Sequence, residues 1–166
     1  MSTADNLKEA FAGESQANRR YLAFAKEADK EGFAQIARLF RAAAAAETVH
    51  AHAHLGVMHG VGTTDENLEA AIEGEGMEFQ EMYPKFVAEA EAEGNQPAAM
   101  AFADAMAVER IHHGLYSEAL KALRRGGDLK EARMYVCPVC GNTVIGGAPD
   151  ECPICGTPKS KFFEVK

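Results

Sequence analysis

Glu47-Thr-Val-His50 and Glu109-Arg-Ile-His112 stand 62 residues apart, each inside sequence of helical character. At spacing i, i+3 a glutamate and a histidine share one helix face, so both can address the same ion. A lone helical glutamate precedes each pair, Glu14 before the first and Glu75 before the second. Two single glutamates and two Glu-x-x-His pairs form the donor set with which a four-helix bundle holds two adjacent metal ions. Hard carboxylate oxygens combined with two imidazoles suit iron or manganese. With 25 acidic residues in the chain, any one of these glutamates could be a solvated helix charge. Six donors recurring in register are hard to explain that way.

The register comes from an internal repeat. A shift of 62 aligns Tyr21 with Tyr83, Phe24 with Phe86, Glu27 with Glu89, Phe40 with Phe102, Glu47 with Glu109 and His50 with His112. A shift of 61 aligns Gly13-Glu14 with Gly74-Glu75, so one residue was gained between Glu75 and Tyr83. The repeat fails at Glu78, whose counterpart is Ala17, and the second half therefore offers an extra carboxylate.

Four helices are expected over the first 125 residues. The first spans Thr3–Lys30, with Thr3 or Asp5 as its cap. The second starts after Gly32 and continues to about His59. The third is capped by Thr64 or Asp65 and ends near Glu93, and the fourth runs from the Gly94-Asn-Gln-Pro97 turn to about Arg125. Glycines beside ligands (Gly13, Gly74, Gly76) suggest either close helix packing or room for ligand movement. His52, His59 and His113 fall off the ligand face, and His54, four residues past His50, reaches only its edge. Tyr21 and Tyr83 fit two roles equally, as hydrogen-bond donors behind the ligand carboxylates or as core tyrosines.

Alanine-rich composition without tryptophan favours helices over sheet. The net charge of −8 is broken by no Lys/Arg stripe, so nucleic acid is not an expected partner. No apolar run of membrane-spanning length and no signal-peptide pattern is present, which points away from a membrane and to a cytoplasmic protein. All four cysteines lie near the C-terminus, in Cys137-Pro-Val-Cys140-Gly and Cys152-Pro-Ile-Cys155-Gly. Paired C-x-x-C units without an export signal read as a metal site rather than as disulfides. A tail of residues 134–166 is too short for an apolar core, so bound metal must supply its folding free energy. Gly141 and Gly156 allow the positive φ that turns backbone N–H groups toward sulfur. Thiolate ligands alone do not separate iron from zinc, and by itself the tail favours a structural zinc ribbon.

With both sites placed, the chain resembles the rubrerythrin family over essentially its full length. The matching stretches are Ala10-Phe-Ala-Gly-Glu-Ser-Gln-Ala17, Ala71-Ile-Glu-Gly-Glu75, Glu81-Met-Tyr-Pro84 and the double knuckle. The resemblance implies a mainly α protein: a ferritin-like four-helix bundle over 1–130 with a non-haem diiron site, and a small rubredoxin-like Fe(Cys)4 domain over 134–166. It carries Glu14, Glu47, His50, Glu75, Glu78, Glu109 and His112 over as diiron ligands, with one iron shifting between Glu78 and His50 on change of redox state. It also tips Cys137, Cys140, Cys152 and Cys155 from zinc to iron. Where the family has an aromatic or other larger residue after the first knuckle, this chain has Asn142, a departure that bears on the solvent cover of the metal. The implied activity is reduction of hydrogen peroxide to water. Electrons would come from NAD(P)H through a rubredoxin-type reductase or rubredoxin, since the chain has no dinucleotide fingerprint of its own.

A pseudo-two-fold pair of hairpins requires the second and third helices to run parallel, with a connection as long as the bundle. Helices of about 25 residues measure roughly 37 Å, whereas Gly60–Asp65 reaches at most about 20 Å. A domain-swapped homodimer is therefore expected, with the first two helices of one copy completing the last two of another. Rival readings are a ferritin-type iron-oxidising or storage protein, an oxygen-reducing or oxygen-activating diiron protein, and a non-catalytic protein with a zinc ribbon.

Overall fold

The computed structural model describes residues 2–166. The chain divides into two compact units, one ending at Gly62 and the other spanning Thr63–Lys166.

The first unit is a helical hairpin of α1 (Thr3–Lys30) and α2 (Ala34–Val57). The cap of α1 is Ser2 rather than Thr3 or Asp5: the Ser2 hydroxyl accepts from the Asp5 backbone N–H while the Asp5 carboxylate reaches back to the Ser2 N–H. This reciprocal box satisfies two orphan donors at once, which neither of the expected caps could do. Asn18 ties the helices together, donating to the Ala44 carbonyl (2.7 Å) and the Thr48 hydroxyl (2.8 Å). The buried residues among those described in the hairpin are all alanines, namely Ala25, Ala28, Ala37, Ala44 and Ala51. Several of its large apolar side chains, Leu22, Phe24, Ile36, Leu39 and Val49 among them, are exposed, whereas Phe11, Phe40 and Leu55 are half-buried. The seam between the two helices is thus lined by small residues, and part of the large apolar surface is left without cover in the chain.

The second unit begins with α3 (Thr64–Met77). Its cap is Thr63, not Thr64 or Asp65, because Thr63 forms a capping box with Glu66, the acid three residues on. The single third helix expected from the sequence is interrupted. Glu78–Met82 is a π-turn, after which α4 (Tyr83–Ala92) continues, and the Tyr83 N–H bonds the Glu78 carbonyl five residues back. This turn lies where the repeat had gained one residue, and a π-turn is how a helix absorbs a single insertion without breaking. The register survives it. Tyr21, Phe24 and Phe40 pack with ring centroids 6.2, 6.3 and 5.5 Å apart, and Tyr83, Phe86 and Phe102 repeat the same three distances.

Helix α5 (Gln96–Arg124) follows, capped by Asn95, with Arg124 binding Asp65 and Glu69 of α3. A three-stranded antiparallel sheet closes the chain, in the order β2 (Thr143–Ile145), β1 (Met134–Val136), β3 (Phe163–Val165), with Tyr135 opposite both Val144 and Glu164. This small domain sits on α5, its β2 against the helix and Gly141 beside the buried Val108. No described helix is long and apolar enough to cross a membrane.

Candidate metal centres

Each helical unit gathers one lone glutamate and one Glu-x-x-His pair. In the first unit, Glu14 on α1 meets Glu47 and His50 on α2, and the three offer ligand atoms within 4.8 Å of one another. His50 Nδ1 lies 2.9 Å from Glu47 Oε2 and 4.0 Å from Glu14 Oε1. In the second unit, Glu75 on α3 meets Glu109 and His112 on α5, again within 4.8 Å. There His112 Nδ1 lies 2.8 Å from Glu109 Oε2 and 3.7 Å from Glu75 Oε1. The sequence repeat is thus a repeat of geometry to within a few tenths of an ångström.

The electrostatics of the second group fit a cation. Burial, a hydrogen bond to Glu109 and the charges of Glu109 and Glu78 together push the Glu75 carboxyl up to about 7. Burial, then the Glu109 charge, also raises Glu78. Half-buried carboxylates that hold one another's protons are short of positive charge, and a divalent ion supplies it. Glu78 opens the π-turn and lies outside the three-donor group, near enough to feel Glu109 and His112. Tyr83 takes part in the same field: burial raises its hydroxyl, helped by Glu78, Glu109 and Glu75, and its ring belongs to the aromatic cluster. Tyr21 packs in the equivalent cluster of the first unit.

The remaining histidines and glycines sort themselves by position. His113 turns away from the carboxylates, stacking edge-on against Phe79 (5.4 Å, 73°) and approaching Gly76, where a Cβ would sit 3.4 Å from its ring. Gly76 is therefore a packing glycine, whereas Gly13 and Gly74 face open space in the chain. His52, His54 and His59 join neither donor group.

At the C-terminal end Cys137, Cys140, Cys152 and Cys155 converge, with their sulfurs within 4.8 Å of one another. Cys137 and Cys155 are 3.6 Å apart, as are Cys140 and Cys152. A disulfide needs about 2.0 Å. A tetrahedron of metal–sulfur bonds of about 2.3 Å has edges of roughly 3.8 Å, so the spacing is that of a metal site. The two knuckles are built alike. The Gly141 N–H bonds the Cys137 carbonyl and the Gly156 N–H bonds the Cys152 carbonyl, with φ of +85° and +73° at the glycines. Burial alone would raise the Cys137 thiol, but the N–H groups of Cys140 and Val139, helped by the Thr157 hydroxyl and the Cys155 thiol, together outweigh it and lower it to about 6. Cys152 is lowered in the same manner against its burial, by the N–H groups of Cys155 and Ile154. Cys140 is pushed up, because burial and the sulfurs of Cys155, Cys152 and Cys137 outweigh the Asn142 N–H that bonds it.

Asn142 does not open this site to solvent. It is 2% exposed, and its side-chain amide donates to Cys152 Sγ at 3.6 Å. Two further polar residues are not legible in the sequence. Thr157 lies 3.1 Å from Cys155 Sγ, and Thr143 lies 2.9 Å from His112 Nε2. Each is a threonine in a loop or strand end with no local pattern to mark it.

Comparison with known proteins agrees with this anatomy. The rubrerythrin family model matches residues 5–120, and that for the rubrerythrin rubredoxin-like domain matches residues 135–163. Rubrerythrin-2 of Clostridium acetobutylicum is 36% identical, covering 96% of this chain and 95% of its own. Nigerythrin of Nitratidesulfovibrio vulgaris is 37% identical, covering 97% and 85% respectively. A solved structure of fully reduced, all-ferrous nigerythrin matches 99% of this chain and 87% of its own, with a TM-score of 0.59 and 35% identity. Two carboxylate–imidazole groups on a helical repeat and a rubredoxin-like four-cysteine domain place this chain in the rubrerythrin family of diiron proteins.

Proposed function

We propose that this protein is a peroxide reductase, taking hydrogen peroxide to water with electrons that start on NAD(P)H and arrive through a rubredoxin-type reductase or rubredoxin. The observation that carries the reading is the docking of the four-cysteine domain on α5, the helix that holds Glu109 and His112. A thiolate site with all four positions filled by protein offers no place for substrate and serves as a one-electron relay. Held by the two carboxylate–imidazole groups, a pair of ferrous ions would supply the two electrons that reduction of peroxide consumes, H2O2 + 2e− + 2H+ giving two waters.

Glu14, Glu47, His50, Glu75, Glu109 and His112 would hold the two irons, and Cys137, Cys140, Cys152 and Cys155 a single iron. Glu78 is the seventh candidate ligand. Burial and the Glu109 charge raise its carboxyl, which favours the protonated form and suits it to hold a proton at the site. Tyr83, near the same carboxylates, would orient them. Titration of NADH by peroxide in the presence of a rubredoxin reductase tests the proposal. Stoichiometric, peroxide-dependent NADH oxidation is expected, abolished by Cys140→Ser. Oxidation that depends on dioxygen and ignores peroxide would contradict it.

The working unit is a domain-swapped homodimer in the cytoplasm. Helix α2 runs seven residues beyond His50, to Val57, and only Met58–Thr63 join it to α3. Six residues reach about 20 Å, against roughly 36 Å for a 24-residue helix. Burial of Leu22, Phe24, Ile36, Leu39 and Val49 against a second copy would contribute about 1.5–3 kcal/mol each. In this assembly Glu14, Glu47 and His50 of one copy complete the Glu75, Glu109 and His112 set of the other.

A further inference from the structure

The imidazole of His112 is held from both sides. Its Nδ1 faces Glu109 at 2.8 Å. Its Nε2 faces the hydroxyl of Thr143, the first residue of β2, at 2.9 Å. Thr143 Oγ1 is also 3.2 Å from the carbonyl oxygen of Gly141, in the turn of the first cysteine knuckle. A threonine hydroxyl has one hydrogen, and a carbonyl can only accept. That hydrogen therefore goes to Gly141, and Oγ1 meets the ring as an acceptor. Nε2 must then carry a ring proton, so that Nδ1, which faces the Glu109 carboxylate, is the nitrogen at which a metal would take the place of a proton. Nδ1 is the atom that points at the carboxylates.

We infer that Thr143 is a positioning residue for His112, so that the four-cysteine domain sets the tautomer and ring orientation of a ligand in the helical half-site. The inference rests on reading Glu75, Glu109 and His112 as metal ligands. A histidine bound to metal through one nitrogen needs a partner for the other, and that partner sets its orientation and basicity. Here the partner comes from a different domain. The contact also borders a cavity of about 350 Å³ lined by Leu68, Leu115, Leu129, Met134 and Ile145, an apolar setting in which a hydrogen bond is strengthened. The repeat supplies the control. His50 makes the same Nδ1 contact to Glu47, but its Nε2 has no hydrogen-bond partner among the described residues, and its side chain is 55% exposed against 24% for His112. Two histidines that the sequence makes equivalent are unequal in the fold, one held at both ring nitrogens and one at Nδ1 alone.

The test uses the full-length protein, labelled with nitrogen-15 histidine and loaded with zinc, which is diamagnetic, and reads the ring signals by nuclear magnetic resonance. In the wild type, the His112 Nδ1 signal is shifted by metal and the Nε2 proton exchanges slowly with water. Thr143→Val keeps the shape and removes the hydroxyl, and should speed that exchange about tenfold or more, the loss of one hydrogen bond of ordinary strength. Thr143→Ser should restore slow exchange, and His50 should be unchanged throughout. Metal-shifted Nδ1 with unaltered exchange in Thr143→Val would overturn the role of Thr143 alone, as would Thr143→Ser behaving like Thr143→Val. A wild-type Nδ1 that zinc does not shift would overturn the metal reading, and this inference with it.

Discussion

Replacing Glu75 by glutamine should make the protein more stable without metal while impairing its ability to hold one. The folded chain keeps the proton on the Glu75 carboxyl up to about pH 7, because burial, Glu109 and Glu78 all oppose its charge. The unfolded chain releases that proton near the ordinary value of 4.5. The folded state therefore binds more protons between these values, and its stability falls as pH rises from about 4.5 to 7. A shift from 4.5 to about 7 corresponds to roughly 3 kcal/mol at about 1.4 kcal/mol per pKa unit. Glu75 keeps one-fifth of its side chain in water and shares its proton with Glu109, so solvent screening reduces the expected effect to about 1–2 kcal/mol. Glu75→Gln keeps a donor toward Glu109 and removes the charge. In urea unfolding at fixed protein concentration, with the carboxylate sites stripped of metal and the metal of the cysteine site retained, the variant should exceed the wild type by that amount at pH 8. The gap should close as pH falls below about 4.5. A variant less stable than the wild type at pH 8, or a gap independent of pH, would show that the Glu75 charge does not oppose folding.

Glu78→Ala should slow peroxide turnover by about 10–100-fold, the range found when a supporting group of a metal site is lost. It should leave helical circular dichroism intact, and unchanged turnover would remove Glu78 from the site. Asn142→Leu deletes the buried N–H that reaches Cys152 Sγ. A donor at sulfur favours the more negatively charged reduced state, so the variant's cysteine-bound iron should have a lower reduction potential. A preference of about 1 kcal/mol is roughly 40 mV for one electron, readable by optical redox titration. Mixed assembly tests the exchange of helices. A chain carrying Glu47→Ala and His50→Ala, unfolded and refolded together with one carrying Glu109→Ala and His112→Ala, should regain a diiron site in heterodimers. Without swapping, every bundle in the mixture carries a broken half and no activity returns.

Much of this site is legible in the sequence because ligand spacing is local. A glutamate and a histidine three apart on a helix must share a face, and a 62-residue repeat must recreate that face. The extra residue between Glu75 and Tyr83 also leaves a trace in the sequence, and Glu78–Met82 is the π-turn that absorbs it. Helix caps are harder. Ser2 and Thr63 lie one to three residues before the expected caps because a capping box depends on where the acid at the third helical position falls, which a scan for single capping residues does not weigh. In the sequence Asn142 stands out only as a departure in size, and its amide donor to Cys152 becomes visible once the knuckle is built. Thr143 has no sequence signal at all. Its meaning comes from 31 residues of separation being folded back onto His112.

On the proposed function, a reduced diiron site in this chain gives its electrons to peroxide and recovers them through the cysteine-bound iron. The most direct measurement is anaerobic: reduce every iron, add one equivalent of hydrogen peroxide per diiron site, and follow both iron chromophores by stopped-flow absorption. Rapid oxidation of the diiron site is expected, reversed when NADH and a rubredoxin-type reductase are supplied. Slow or absent reaction with peroxide, or a colourless four-cysteine site filled with zinc, would contradict it.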